Sequence, residues 1–506
     1  MKNRFSNLKH AFPDPVESPN IIYNPSFDEM RSYSKGMETT TEYGSPCYVS
    51  DIKSRSADRT KNNVDHEFSE DDEIEMARAL EHIRENEVVC VDRMVGRHPD
   101  NSYVCRYYVP KRYSRIALAW AKLLEPVKQD GNEVEPDFYT VQLPDWDKLM
   151  VRVLPEEGLT YVLGSDYTGE AKKSFLRLFM YYAKKKGGLG IHAGSKRVRI
   201  KRGGDLKTVG QLYLGLSATG KSTLTGHGFW LEEPEKAEML QDDVCALLPN
   251  GSVAGSEGNG LYIKTIGLDS EREKQPELYQ AVTQPQAVLE NVCTGSDGGV
   301  DFDDGELTTN SRAVILRENL PNAADDIDLG NADQTFFITR NSLMPPIAKL
   351  NSKQAGVAFM LGESIQTSAG DPDKAGKSIR VVGTNPFIIG SEGEEGNRFV
   401  ELAEKNDIEC FVINTGHVGG KEKRDIRVED TVRILRETAR GTVEWKHDDI
   451  TGLTIPDEVP GMDIGEFYPP SYFDDYESRI EEFREDRRQY LEQFDDLSDD
   501  IKNAVY

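Results

Sequence analysis

The stretch "QLYLGLSATGKSTL", residues 211–224, constrains the fold more than any other part of the chain. A short apolar run leads into Gly215-x-x-x-x-Gly220-Lys221-Ser222, and a helix-forming segment follows. Strand, glycine-rich turn and helix start, in that order, make a phosphate cradle whose backbone N–H groups point at phosphate oxygens. Lys221 reaches the β and γ phosphates, and the Ser222 hydroxyl suits Mg2+. The region is therefore committed to an α/β nucleotide-binding fold, while the destination of the phosphate stays open.

Two details set this loop apart from ordinary phosphate-loop ATPases. Gly226 and Gly228 follow closely, so the helix is short. The next acidic site, "EMLQDDVCALL", offers two adjacent carboxylates, Asp242 and Asp243, at the end of a strand. Successive strand residues face opposite ways, so such a pair is placed to serve two different metals.

A length of 506 residues suits two or three domains. The net charge of -27 argues against nucleic acid as a partner, because phosphate backbones are repelled. It fits a solvated acidic surface like those of proteins from salt-loving organisms. The start, "MKNRFSNLKHAFPDP", lacks the apolar core of a signal peptide, and no run approaches a membrane span. The six cysteines are scattered without a C-x-x-C pair, which speaks against a zinc or disulfide scaffold and for a reducing cytoplasm.

Residues 1–65 read as a polar, loosely structured arm with one or two short elements, such as "NIIYNPS". In "SEDDEIEMARALEHIREN", Ser69 caps a helix with Asp72 at the third position, and Ile74, Ala77, Leu80 and Ile83 form its apolar stripe. "KKSFLRLFMYYAKKKGG" reads as a helix ended by Gly187. Short strands then dominate, so residues 66–187 form one domain and 188–470 another. Residues 471–506 make an acidic C-terminal helix with Ile480, Phe483, Arg487, Tyr490, Leu491 and Phe494 on one face.

Other residues are weak alone: Arg97 in a Pro-containing turn, the paired Lys172 and Lys173, His192 on an apolar strand, Arg312. Each has a structural explanation by itself. Their order is more specific. "GRHPDNSYV", "YTGEAKKSF", "GIHAGS", "GLSATGKSTL", "QDDVCAL", "EGNGLYIKTIGL", "VDFDDGELTTNSRA" and "CFVINTGHVGG" occur in succession over roughly residues 85–465. In this the chain resembles the ATP-dependent phosphoenolpyruvate carboxykinases. The resemblance implies an N-terminal α/β domain and a C-terminal mononucleotide-binding domain with the active site in the cleft between them. It implies the gluconeogenic reaction oxaloacetate + ATP → phosphoenolpyruvate + CO2 + ADP, run by a monomer or homo-oligomer. GTP-using relatives carry a cysteine in the loop, and this loop has none.

The resemblance also implies roles. Lys173, His192 and Asp243 hold Mn2+. Arg97, Tyr167 and Lys173 bind substrate, and Arg312 takes the γ-phosphate. Gly215, Leu216, Ser217, Ala218, Thr219, Gly220, Lys221, Ser222 and Thr223 cradle the triphosphate, with Ser222 on Mg2+ and Asp242 helping through water. Lys264 touches the nucleotide, and Lys172 stands beside Lys173. Imidazole and carboxylate suit Mn2+, whereas lysine ligates only as a free amine, which a metal and a like-charged neighbour both favour. Arg97 and Arg312 present forks suited to carboxylate and phosphate.

Departures from the family pattern are local. Ala218 replaces a loop glycine, and Ser222 and Ser311 replace threonines. Gln275 stands where the family has a ribose-contacting Glu, with Glu273 as the alternative. Arg424 (or Arg427) and Thr431 fall in a longer adenine loop. The rival readings are a phosphate-loop protein kinase of the HPr kinase/phosphorylase type and an inactive nucleotide-binding regulator.

Overall fold

The computed structural model describes residues 8–127, 135–216, 219–365 and 378–506. The chain divides into two compact units: Met1–Tyr182 with Ser256–Pro321, and Ala183–Gly255 with Asn322–Tyr506.

The first unit is built on an eight-stranded sheet. Its path is Ile21–Tyr23, Val88–His98, Asn101–Pro110, Phe138–Leu143, Leu159–Leu163, Met150–Leu154 and Thr60–Asn62, with Glu125–Pro126 paired to Val88–His98. A five-stranded sheet runs Gly260–Lys264, Arg312–Leu316, Val288–Glu290, Pro46–Tyr48 and Glu38–Thr40. Leu289 pairs with Cys47 in that ladder, which ties residues 256–321 to the N-terminal part of the chain. Those residues had been expected to continue the nucleotide domain. Strands of two or three residues here are too short to carry a readable period, so the residues expected as a loose arm in fact supply strands to both sheets.

Helix Glu70–Glu85 starts as expected, with Ser69 and Asp72 forming a capping box. Its inner face differs from the expected stripe. Met76, Ala79, Leu80 and Ile83 are buried together with Asp72 and Glu75, while Ile74 is half exposed. The buried acids have partners that sequence does not show: Arg152 for Asp72, and Trp146, Arg78 and Lys148 for Glu75. Those partners let two carboxylates turn inward and rotate the helix.

The second unit is centred on another eight-stranded sheet, in the order Lys236–Gln241, Ala193–Arg202, Asp205–Leu214, Gln334–Thr339, Glu409–Asn414, Ile347–Leu350, Leu453–Glu458 and Glu444–Asp448. Its three middle strands, Asp205–Leu214, Gln334–Thr339 and Glu409–Asn414, are parallel. Their buried faces read as continuous apolar runs, as parallel strands covered on both sides do. The helices Ser352–Leu361, Glu392–Lys405 and Val428–Arg440 pack on this sheet. The C-terminal helix Tyr476–Leu491 buries Tyr476, Ile480, Arg487 and Leu491, with Phe483 and Tyr490 partly covered. Arg487 is paired to Glu363, which is why an arginine sits on that face.

No helix among the described residues is long and apolar enough to cross a membrane. All six cysteines are free thiols.

Candidate active site

The phosphate loop follows strand Asp205–Leu214 at the middle of the second unit's sheet. A Cβ on Gly215 would lie 2.7 Å from Thr219 Oγ1, so only glycine lets the loop close on itself there. Gly220 has φ +102°, a backbone that glycine alone adopts without strain. Thr219 is buried; its hydroxyl donates to the Leu216 carbonyl, and its own carbonyl accepts from Thr415 Oγ1 at 2.7 Å. Helix Lys221–Gly226 has six residues, as short as its glycines predict, and Ser222 and Thr223 are exposed on it. Ser217 and Ala218 lie outside the described residues.

His192 lies between strands Leu189–Ile191 and Ala193–Arg202. Its Nδ1 is 2.7 Å from the Thr384 carbonyl oxygen, which can only accept, so Nδ1 carries a proton. Thr384 has φ +51°, strained for a β-branched residue, and this turns its carbonyl to the imidazole. The other ring nitrogen, Nε2, is 2.9 Å from Asp243 Oδ1 and 3.2 Å from Lys221 Nζ. The Asp243 carboxylate and the Lys221 ammonium thus both face Nε2, and an imidazole beside a carboxylate is a donor pair that suits a metal. Asp242 adds a buried Oδ1 with no hydrogen-bond partner among the described residues, a further acceptor in want of a cation or its water. After the pair the chain turns into the core: Val244 and Cys245 are fully buried, and burial pushes the Cys245 thiol up to about 12. No three His, Cys, Asp or Glu side chains converge as a metal group among the described residues. The expected set has only two such side chains, plus Lys173.

The remaining candidates in the second unit are Arg424 and Thr431. Arg424 pairs with Glu466 at 3.2 Å and lies over the Phe467 ring. The Thr431 hydroxyl donates to the Arg427 carbonyl within its own helix.

The other candidates belong to the first unit. Helix Thr168–Lys185 carries Lys172 and Lys173 in its first turns. Lys172 is buried and pairs with Glu257 at 2.9 Å, and its Nζ lies 5.5 Å from the centre of the Tyr262 ring. Arg312 lies over the same ring at 5.5 Å and donates to Asn310 Oδ1 at 2.8 Å. Asn310 in turn donates to the Tyr167 hydroxyl at 3.2 Å. Tyr167 is buried beside Gly169, where a Cβ would come within 2.3 Å of its ring. Lys264 pairs in register with Arg312; burial, and then that guanidinium, hold its pKa below the ordinary lysine value. Arg97 donates to the Gly258 carbonyl at 2.9 Å and pairs with Glu125. Gln275 stands at the start of helix Pro276–Val282, partly exposed.

Tyr262, Glu257 and Asn310 organise this cluster, and no role was assigned to them from sequence, although all three lie inside quoted motifs. Tyr262 donates to the buried Glu290, which also accepts from Thr168 and Arg115. Thr384 was missed too; it acts through a carbonyl, which every residue has.

This glycine-rich loop, set on the parallel core of a sheet with His192 and Asp243 beside its Lys221, belongs to a protein of the mixed α/β class. The family model for phosphoenolpyruvate carboxykinase matches residues 25–464, beginning well before residue 85. A phosphoenolpyruvate carboxykinase (ATP) of Aeropyrum pernix is 34% identical over 497 residues, spanning 97% of this chain and 98% of the relative. The same enzyme of Alkaliphilus oremlandii is 26% identical over 451 residues (84% and 82%), and that of Rhodopseudomonas palustris 33% over 372 (68% and 66%). The chain belongs to the ATP-dependent phosphoenolpyruvate carboxykinase family, carboxy-lyases that decarboxylate oxaloacetate with phosphoryl transfer. The protein-kinase and regulator readings are not favoured.

Proposed function

We propose that this chain performs the family's reaction, with oxaloacetate, ATP, phosphoenolpyruvate, CO2 and ADP as its small-molecule partners, through the residues described above. Arg97 and Tyr167 hold the dicarboxylate. Arg97 offers a forked donor, and Asn310 orients the Tyr167 hydroxyl. Lys172, fixed by Glu257, keeps a buried positive charge beside Tyr262. Arg312 and Lys264 spread the charge of the transferring phosphoryl group, while Lys221 and the loop amides hold the β and γ phosphates. Ser222 and Asp242 fit the Mg2+ that accompanies ATP. Gln275, Arg424 and Thr431 take the ribose and adenine.

The donor set of His192, Asp243 and Lys173 fits Mn2+, in keeping with the facing imidazole and carboxylate. When bound, the ion supplies Lewis-acid stabilisation of the charge that develops as CO2 leaves. His192 keeps Nε2 turned to that position because Nδ1–H is held by Thr384. The reading draws Arg97, Tyr167, Lys172, Lys264 and Arg312 from the first unit, and the phosphate loop, His192 and Asp243 from the second. Cytoplasmic location goes with it.

The observation that carries the reading is the meeting at His192 of Asp243, at 2.9 Å, and the phosphate-loop Lys221, at 3.2 Å. One group thereby joins the metal pair to the phosphate grip. The test is a side-by-side assay of the purified chain with oxaloacetate, Mn2+ and Mg2+, and either ATP or GTP. Phosphoenolpyruvate and ADP should form with ATP and little product with GTP. No product with ATP over a range of salt concentrations would sink the reading.

A further inference from the structure

A helix of six residues is marginal by itself and depends on what holds it. Helix Lys221–Gly226 is held by strand Ala193–Arg202, which begins next to His192. Gly194 and Lys196 share one face of that strand with Val198 and Ile200. At Gly194 a Cβ would come 2.2 Å from Thr225 Oγ1, so the missing side chain lets the helix lie against the strand. Thr225 in turn donates to the Lys221 carbonyl at 2.8 Å.

Lys196 holds the other end. It is fully buried, and its Nζ donates to the carbonyls of Leu224 and His227, both at 2.6 Å. These are carbonyls of the last turn and the cap, which the helix itself leaves unpaired. The ammonium also lies 3.9 Å from the centre of the Phe229 ring and 5.8 Å from that of Tyr213. Phe229 has φ +59°, part of the turn that brings its ring to the cation. Val198 and Ile200, on the same face, are apolar and fully buried. A fully buried ammonium is costly, and burial lowers the pKa of Lys196 well below the lysine value. Space-filling alone would be met by another apolar side chain.

We infer that Lys196 is a positioning residue for ATP: it anchors the phosphate-loop helix, and with it Lys221 and Ser222, to the strand that starts beside His192. The inference rests on the reading of Lys221 and Ser222 as the phosphate grip. Lys196 touches no substrate; it sets where the grip stands relative to the metal pair.

The experiment measures MgATP affinity by calorimetry, and KM for ATP and for oxaloacetate, on the full chain. Lys196→Met keeps the length and removes the donors. It should weaken ATP binding about tenfold and raise the ATP KM alike, with the oxaloacetate KM changed less than about twofold. A merely structural role would move both KM values together, and that result overturns the inference, as does an ATP affinity equal to wild type. Lys221→Met is the control: if it binds ATP normally, the phosphate-loop reading is what fails. Should Lys196→Met not fold, Phe229→Leu decides. It removes the ring beneath the ammonium and should weaken ATP binding in the same direction; unchanged affinity overturns the inference.

Discussion

Glu257→Gln is the most exacting perturbation of the substrate side. The Lys172 and Glu257 side chains are 3% and 4% exposed, and Nζ and Oε2 are 2.9 Å apart. Taking the charge from one member of such a pair leaves the other charged in a site that water does not reach. Breaking a buried pair in this way costs about 3–5 kcal/mol. Glutamine retains one acceptor at the same reach, which puts the expected loss at the lower end, about 3 kcal/mol. Lys172→Met alone strands the carboxylate and should cost a similar amount. Removing both charges together should be nearly neutral against single losses of about 3 kcal/mol each, so a double-mutant cycle on denaturant midpoints should show a coupling of about 6 kcal/mol. Turnover behaves differently. The double variant regains stability but not the buried positive charge, so its kcat should stay as low as that of Lys172→Met. Coupling below about 0.5 kcal/mol would refute the buried-pair reasoning. Restored turnover in the double variant would refute a catalytic use of the Lys172 charge.

His192→Gln removes the imidazole between Thr384 and Asp243, so Mn2+ affinity followed by electron paramagnetic resonance should fall at least about 10–100-fold and turnover with it. ATP binding by calorimetry should survive, and undiminished Mn2+ affinity would refute the metal role. Glu38 gives a pH test of the first unit's five-stranded sheet. Burial alone would raise its pKa, but hydrogen bonds from Arg31, Lys35 and Thr40 outweigh that and bring it from 4.5 to about 2. A carboxylate depressed on folding stabilises fully above its unfolded value, and the effect is lost as pH falls through the folded value. Glu38→Gln should therefore be less stable than wild type near neutrality, with the gap closing between pH 4.5 and about 2. A gap independent of pH would count against the ion pair as its cause.

The phosphate loop was legible because its physics is local: a strand, a left-handed Gly220 and a short helix specify one another within a dozen residues. The capping box at Ser69 was legible for the same reason. The buried face of the helix it starts was not, since Asp72 and Glu75 turn inward to meet Arg152, on a distant strand, and Trp146, in the turn before that strand. The return of residues 256–321 to the first unit depends likewise on Leu289 meeting Cys47 across a ladder with no local mark. The candidate site divides along this line. Lys172, His192, Asp243 and Arg312 entered through the order of the motifs they lie in, since the family resemblance and not the single residue gave each its expected role. Glu257, Thr384 and Lys196 could not be picked out, because each acts on another residue, and any partner at the right place would do. What places a reactive group is fixed by tertiary contacts, so the supporting half of a site becomes readable only once the chain is folded.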